Sequence, residues 1–395
     1  MSSFKKISKR LFNVVLALVL GYFIVYGLSA LSKNSKGPLG GFLENVGNMV
    51  KDIEQDNILE KREKNRGKKL EWFKDQKNNK FALLKSKNIL FGATDDNNGK
   101  SYENIIDLED SLAVTFPIIQ IYRAWGDRKE HEFPKNEVDA IISIGSVPMI
   151  TWEPWLTTFS KENFPKIKDI EQRDNHGLLS IANGDYDVYI KEWATEAAKV
   201  GHPIYLRVGH EMNDSYRYKW GAQNNDPSEF IAAFRHVKDV FDSVGATDII
   251  WVWSPHIAKG KFKEYYPGND YVDIIGTGAL NYGTSTNFSD WWTFEEIFGN
   301  YYDQLASFYK PIMIAELGSL KTGGSRAKWF GDAFENFNTK YPYVNAILFF
   351  HYSSDKTLTY NKDLNWNIKD DPEVTTAIKD ALKKWPANIK QPGIE

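Results

Sequence analysis

From Asn88 onward, short apolar runs recur, each followed by polar or aromatic residues and then by a stretch with helical spacing. The runs are Ile89–Phe91, Ile118–Ile121, Val147–Ile150, Ile204–Leu206, Ile249–Val252, Val272–Ile275, Ile312–Ile314 and Ala346–Phe349. Each is brief and nearly continuous in apolar character, as a strand buried on both faces must be. Helical periodicity fills the stretches between them, notably Asp187–Val200, Pro227–Val244 and Ser325–Phe337. Asp226 before Pro227 supplies a helix start, an N-cap followed by proline at the first helical position. Strands alternating with helices imply a parallel sheet. Eight such units in about 300 residues predict a (β/α)8 barrel. A doubly wound open sheet is the rival, disfavoured because no glycine-rich phosphate loop follows the first run.

The stretch before Asn88 is different. Lys5, Lys6, Lys9 and Arg10 precede an apolar run from Leu11 to Leu31. A helix needs roughly 20 residues to cross a bilayer, and a cleaved signal has an apolar region of about 7–15. The run therefore reads as a membrane-spanning signal-anchor; Ser29 and Ala30 leave a cleaved signal as the alternative. Basic residues before the run place the N-terminus in the cytoplasm and the rest of the chain outside it. The expected organisation is a basic segment over 1–10, a transmembrane segment over 11–31, a helical and charged connector over 32–80, and a catalytic barrel over 81–395.

Composition narrows the chemistry. The net charge of −3 gives no reason to expect a nucleic-acid partner, and the absence of cysteine removes thiolate catalysis and cysteine-based zinc sites. The seven histidines lack HxxxH or HExxH spacing, so no metal and no cofactor is expected. Oligomeric state is not encoded in any of these features.

Barrel active sites lie at the C-terminal ends of the strands. There the sequence offers Tyr122-Arg123-Ala124-Trp125, Thr151-Trp152-Glu153-Pro154-Trp155, His210-Glu211-Met212-Asn213, Trp253-Ser254-Pro255-His256, Asn281-Tyr282-Gly283, Ala315-Glu316-Leu317-Gly318 and His351-Tyr352. Carboxylates among flat aromatic faces suit a sugar ring and its glycosidic oxygen. Glu153 reads as structural, Trp251 and Trp329 as core or sugar contact, and Trp291-Trp292 as a cleft lip.

Arg207 followed by His210-Glu211-Met212-Asn213, the earlier Trp152-Glu153-Pro154-Trp155 and the later Ile314-Ala315-Glu316-Leu317-Gly318 resemble glycoside hydrolase family 26. The resemblance runs from about Ile89 to Leu382 and includes Asn365-Trp366-Asn367-Ile368 and Asp371-Pro372-Glu373 near its end. It implies a retaining (β/α)8 hydrolase of β-mannan, mixed-linkage β-glucan or β-1,3-xylan. It also implies Glu211 as acid/base and Glu316 as nucleophile. Arg207, His210, Asn213, Trp152, Trp155, Trp220, Trp253, His256, Asn281, Tyr282 and His351 are the expected substrate-binding set. Three positions depart from the family pattern: Asp214 replaces a usual glycine, Leu280 a usual tyrosine that touches the nucleophile, and Phe349-Phe350-His351-Tyr352 a tryptophan-containing segment. Tyr282 is the candidate replacement for that tyrosine. The expected function is a membrane-anchored endo-β-glycosidase; the alternative is a glycan-binding protein of a polysaccharide assembly system on the same barrel.

Overall fold

The computed structural model describes residues 66–285, 289–335, 337–356 and 363–394. The expected transmembrane segment and most of the connector lie outside the described residues. No helix among the described residues is long and apolar enough to cross a membrane.

The eight apolar runs form eight parallel strands: β1 (Leu90–Asp95), β2 (Ile118–Ala124), β3 (Val147–Glu153), β4 (Ile204–Val208), β5 (Ile249–Trp253), β6 (Ile274–Asn281), β7 (Ile312–Ser319) and β8 (Val344–His351). They follow one another in order around a closed barrel, sealed where Leu90 of β1 pairs with Ala346 of β8. Closure leaves no exposed strand edge and buries both faces of each strand. The expected helices are present as Asp187–Lys199, Pro227–Ser243 and Arg326–Phe334. Asp226 and Glu229 form a reciprocal capping box around Pro227, satisfying backbone N–H groups that the first turn leaves free.

Alternation along the strands sorts the side chains. Met149, Tyr205, Ile250, Val252, Ile274, Met313, Ala315, Ala346 and Leu348 share one cluster inside the barrel. Leu70, Phe73 and Leu83 join the same cluster and close the floor of the barrel. The last part of the expected connector, from Arg66, is thus part of the packed body.

Arg66 ties this floor to the wall. Its Nε and Nη2 donate to the two oxygens of Glu109 at 2.9 and 2.7 Å, and Nη2 also reaches Phe116 O and Ser146 Oγ. Both residues are buried. Removing one partner of a buried pair strands the other charge, at a cost of about 3–5 kcal/mol. Arg66→Ala should therefore lower unfolding stability by about that amount in urea denaturation, with the secondary structure by circular dichroism retained.

Candidate active site

Two carboxyls meet at the barrel mouth, and each needs a local irregularity to get there. On β7, Thr277 faces Ile314 while Gly278 faces Glu316, so Ala315 is an extra residue in the ladder. The bulge resets the alternation: Ala315 points into the barrel core, and Glu316 beside it also turns into the mouth. Glu211 follows β4 in a tight turn, with φ of 55° at both Gly209 and Glu211. A left-handed backbone at a non-glycine residue costs of order 1–3 kcal/mol, and the surroundings must hold it. The Glu211 N–H donates to Ser254 O at 2.7 Å, and the Asn213 side chain bonds Gly260 O and both backbone groups of His256.

Gly278 lies below the gap between the two acids. A carbon placed on it would be 3.7 Å from Glu316 Oε2 and 3.8 Å from Glu211 Oε1. These two oxygens are therefore at most about 7.5 Å apart, a bound that admits the roughly 5–5.5 Å of retaining pairs.

The two acids have different surroundings. Glu316 accepts from the Tyr122 hydroxyl at 2.6 Å and from Arg207 Nη2. Arg207 is itself held by Thr151 Oγ1 at 2.8 Å. Burial alone would raise the Glu316 carboxyl, but the Arg207 charge with the Tyr122 hydrogen bond outweighs it and holds the group at about 2. Glu316 is thus ionised throughout the neutral range. Glu211 is paired through Oε2 with Arg217 Nη1 at 2.8 Å. A third carboxyl, Glu153, accepts from Trp155 Nε1 and is pushed up to about 7, chiefly by burial.

His256, Tyr282 and Trp292 line a cavity of ≈ 520 Å³ beside Glu211, together with Ile257, Leu280 and Tyr301. Leu280, Tyr282, Phe350 and Tyr352 pack around Trp366 to form an apolar wall. A larger hollow, ≈ 800 Å³, lies on the flank near Phe164 and Trp193 and contains neither acid. Outside the mouth, ligand atoms of His176, Asp226 and Glu229 lie within 4.8 Å of one another, but both carboxylates are committed to the helix cap.

Several expected sugar contacts prove to be supports. Trp152 is fully buried, stacked on Trp193 at 4.3 Å and bonded to the Tyr189 hydroxyl. Trp220 is 2 % exposed, stacked on Tyr218 at 4.5 Å and donating to His210 O. Trp253 is fully buried between Tyr266 and Phe308. Asn281 bonds Ser319 and Gly283, and His351 accepts from the Ile368 N–H, so both hold backbone and neither reaches the cleft. Asn213 spends its amide on the neighbouring loop, as above. His210 is buried against the Tyr218 hydroxyl; burial, then Arg207, pushes it well below its ordinary range, so it is neutral. Arg207 acts on Glu316, not on sugar. His256 and Tyr282 remain at the cleft, half-buried, while Trp155, also half-buried, donates to Glu153 and packs edge-on against Trp220.

Tyr282 does not take the place of the expected tyrosine on Glu316. Its hydroxyl accepts from Arg217, and Tyr122 from β2 fills that role. Tyr122, Arg217, Gly278, Phe350 and Tyr352 were not among the expected site residues. Four of them were legible by alternation: Tyr122 shares the parity of Ile118, Gly278 that of Ile274, and Phe350 and Tyr352 that of Leu348. Arg217 sits in an irregular loop and carries no such signal.

A parallel eight-stranded barrel with two convergent carboxyls at the ends of β4 and β7 defines a glycoside hydrolase site. The chain belongs to glycosyl hydrolase family 26, whose sequence profile matches residues 130–373. It is 33% identical over 259 residues to Endoglucanase H of Acetivibrio thermocellus, covering 63% of this chain and 26% of that protein. It is 29% identical over 180 residues to a mannan endo-1,4-beta-mannosidase of Bacillus subtilis, covering 43% and 44%. The match thus spans less than half of either relative. Among solved structures, the Bacillus subtilis mannanase man26 shares the fold, with a TM-score of 0.53 at 18% identity over 79% of this chain and 94% of that one.

The aromatic assignments separate on two variants. Trp220→Ala should cost about 3–5 kcal/mol of stability, as a buried large-to-small change does. Trp292, 48% exposed on the cavity, should behave oppositely: Trp292→Ala should stay within about 0.5 kcal/mol of wild type and raise KM for polymeric substrate. Chemical denaturation and steady-state kinetics on both variants check this.

Proposed function

We propose that this chain is a retaining endo-β-glycosidase that cleaves a β-linked polysaccharide, with β-glucan ahead of β-mannan. The convergence of Glu211 and Glu316 over Gly278, at the ends of β4 and β7, carries this reading. Glu316, clamped and ionised, attacks the anomeric carbon. Glu211 gives a proton to the glycosidic oxygen as that oxygen takes the electron pair of the breaking bond. Water then enters: Glu211 takes its proton, its oxygen bonds to the anomeric carbon, and the bond to Glu316 breaks. The cavity beside Glu211, with Trp292 at its lip, accommodates the departing sugars. Preference for glucan rests on the longer and higher identity to Endoglucanase H than to the mannosidase.

Product analysis on mixed-linkage glucan, cellulose oligomers, mannan, glucomannan and β-1,3-xylan identifies the substrate. NMR of the first product should show retained configuration; an inverted product would exclude Glu316 as nucleophile. Glu316→Ala should lose activity on every substrate. Glu211→Ala should lose about 10²–10⁴-fold where the leaving group is poor and much less on a dinitrophenyl glycoside, with azide rescuing the second step. Wild-type turnover by Glu316→Ala would remove Glu316 as the nucleophile, and no turnover of any of these substrates by the wild-type protein would leave the chain a glycan-binding barrel.

The anchor is part of the same proposal. A run from Leu11 to Leu31 behind four basic residues supports a single span with the barrel outside the cytoplasm. Protease added to intact spheroplasts should digest the barrel. Full protection, or a soluble form lacking about thirty N-terminal residues, would overturn an uncleaved anchor.

A further inference from the structure

Arg217 lies between β4 and the Pro227–Ser243 helix and spans the mouth. Its Nη1 donates to Glu211 Oε2 at 2.8 Å, and its Nη2 donates to the Tyr282 hydroxyl at 2.7 Å. The guanidinium carbon lies 5.9 Å from the ring centroids of both Tyr218 and Tyr282. The side chains of Arg217 and Glu211 are 12% and 8% exposed, so this is not a surface pair that solvent screens away.

A guanidinium only donates, and it stays charged. Oε2 of Glu211 is therefore occupied as an acceptor. The other oxygen, Oε1, is the one that approaches Gly278 and the Glu316 side of the gap. The terminal torsion of a glutamate is broad and roughly two-fold, so without a partner neither the plane of the carboxyl nor, in its acid form, the oxygen that bears the proton would be fixed. The strained turn at Glu211 sets where the carboxyl is, and Arg217 sets which way it faces.

We infer that Arg217 is a positioning residue that divides the work between the two oxygens of Glu211: Oε2 is the anchor, and Oε1 carries the proton out and takes it back. The inference rests on Glu211 being the acid/base. Arg217 touches no reacting atom. Tyr282 acts one step further out by holding the far side of the guanidinium. The apolar wall that contains Tyr282 is thereby linked to the proton donor.

The test uses a series of aryl β-cellobiosides and β-mannobiosides with phenyl, 4-nitrophenyl and 2,4-dinitrophenyl leaving groups. Arg217→Met keeps the length of the stem and removes the donors. Its kcat/KM should fall by about 10–100-fold on the phenyl glycoside, the scale of a small misplacement of a catalytic group, and by less than about threefold on the dinitrophenyl glycoside, which needs no protonation. Arg217→Lys, which retains one donor to Oε2, should recover part of the loss. Tyr282→Phe should shift the series in the same direction by a smaller factor. An equal loss across the three leaving groups, or none, would overturn the positioning role. If Arg217→Met does not fold, the Tyr282→Phe series decides, and a flat series there overturns the role as well. Glu211→Ala run in parallel separates the two levels: steep for Glu211→Ala but flat for Arg217→Met removes this inference alone, and flat for both removes the acid/base assignment beneath it.

Discussion

The buried pair of Arg207 and Glu316 is the constraint to which the mouth of this barrel answers. Their side chains are 1% and 7% exposed, and a carboxylate that far from water is tolerable only when paired and hydrogen-bonded. Everything around them completes the pairing. Thr151 fixes Arg207 from β3, Tyr122 donates from β2, and the bulge at Ala315 turns Glu316 toward them from β7. Four strands that are distant in sequence are thus committed to one register by one charge pair. The energetic return is a carboxylate held ionised in a buried site.

The architecture was legible because strands buried on both faces leave a continuous apolar signature, and each of the eight runs became a strand in sequence order. The two acids were legible because they sit in local motifs at strand ends. The aromatic assignments fared worse for a physical reason. In a barrel, tryptophan is equally at home at the rim and in the layer between strands and helices, so residue type does not separate them. Parity does: Met149 and Thr151 face inward, which sends Trp152 outward, and Val252 does the same to Trp253. The inward set yields Tyr122, Gly278 and Tyr352 by the same count.

Parity fails at Glu316, which would point outward on a regular β7. The extra residue that turns it inward leaves no mark in composition or hydropathy, because bulges are decided by pairing with neighbours. Glu211 and Arg217 fail for a related reason: both lie in a turn held by residues just after β5 and β6, Ser254, His256, Gly260 and Tyr282, rather than by local propensity.

Gly278 is a position where an unoccupied volume, not a flexible backbone, is what the fold preserves. Its φ is not among the left-handed ones, and a methyl group there would meet the two carboxyls only at ordinary van der Waals distance. The resting protein would accept such a methyl group without strain. The space it would fill, however, is the floor of the gap that separates the two acids. Gly92 on β1 is the opposite case, since a carbon there would lie 2.5 Å from Ile118 O; a measure of folding would register a side chain at Gly92 and pass over one at Gly278.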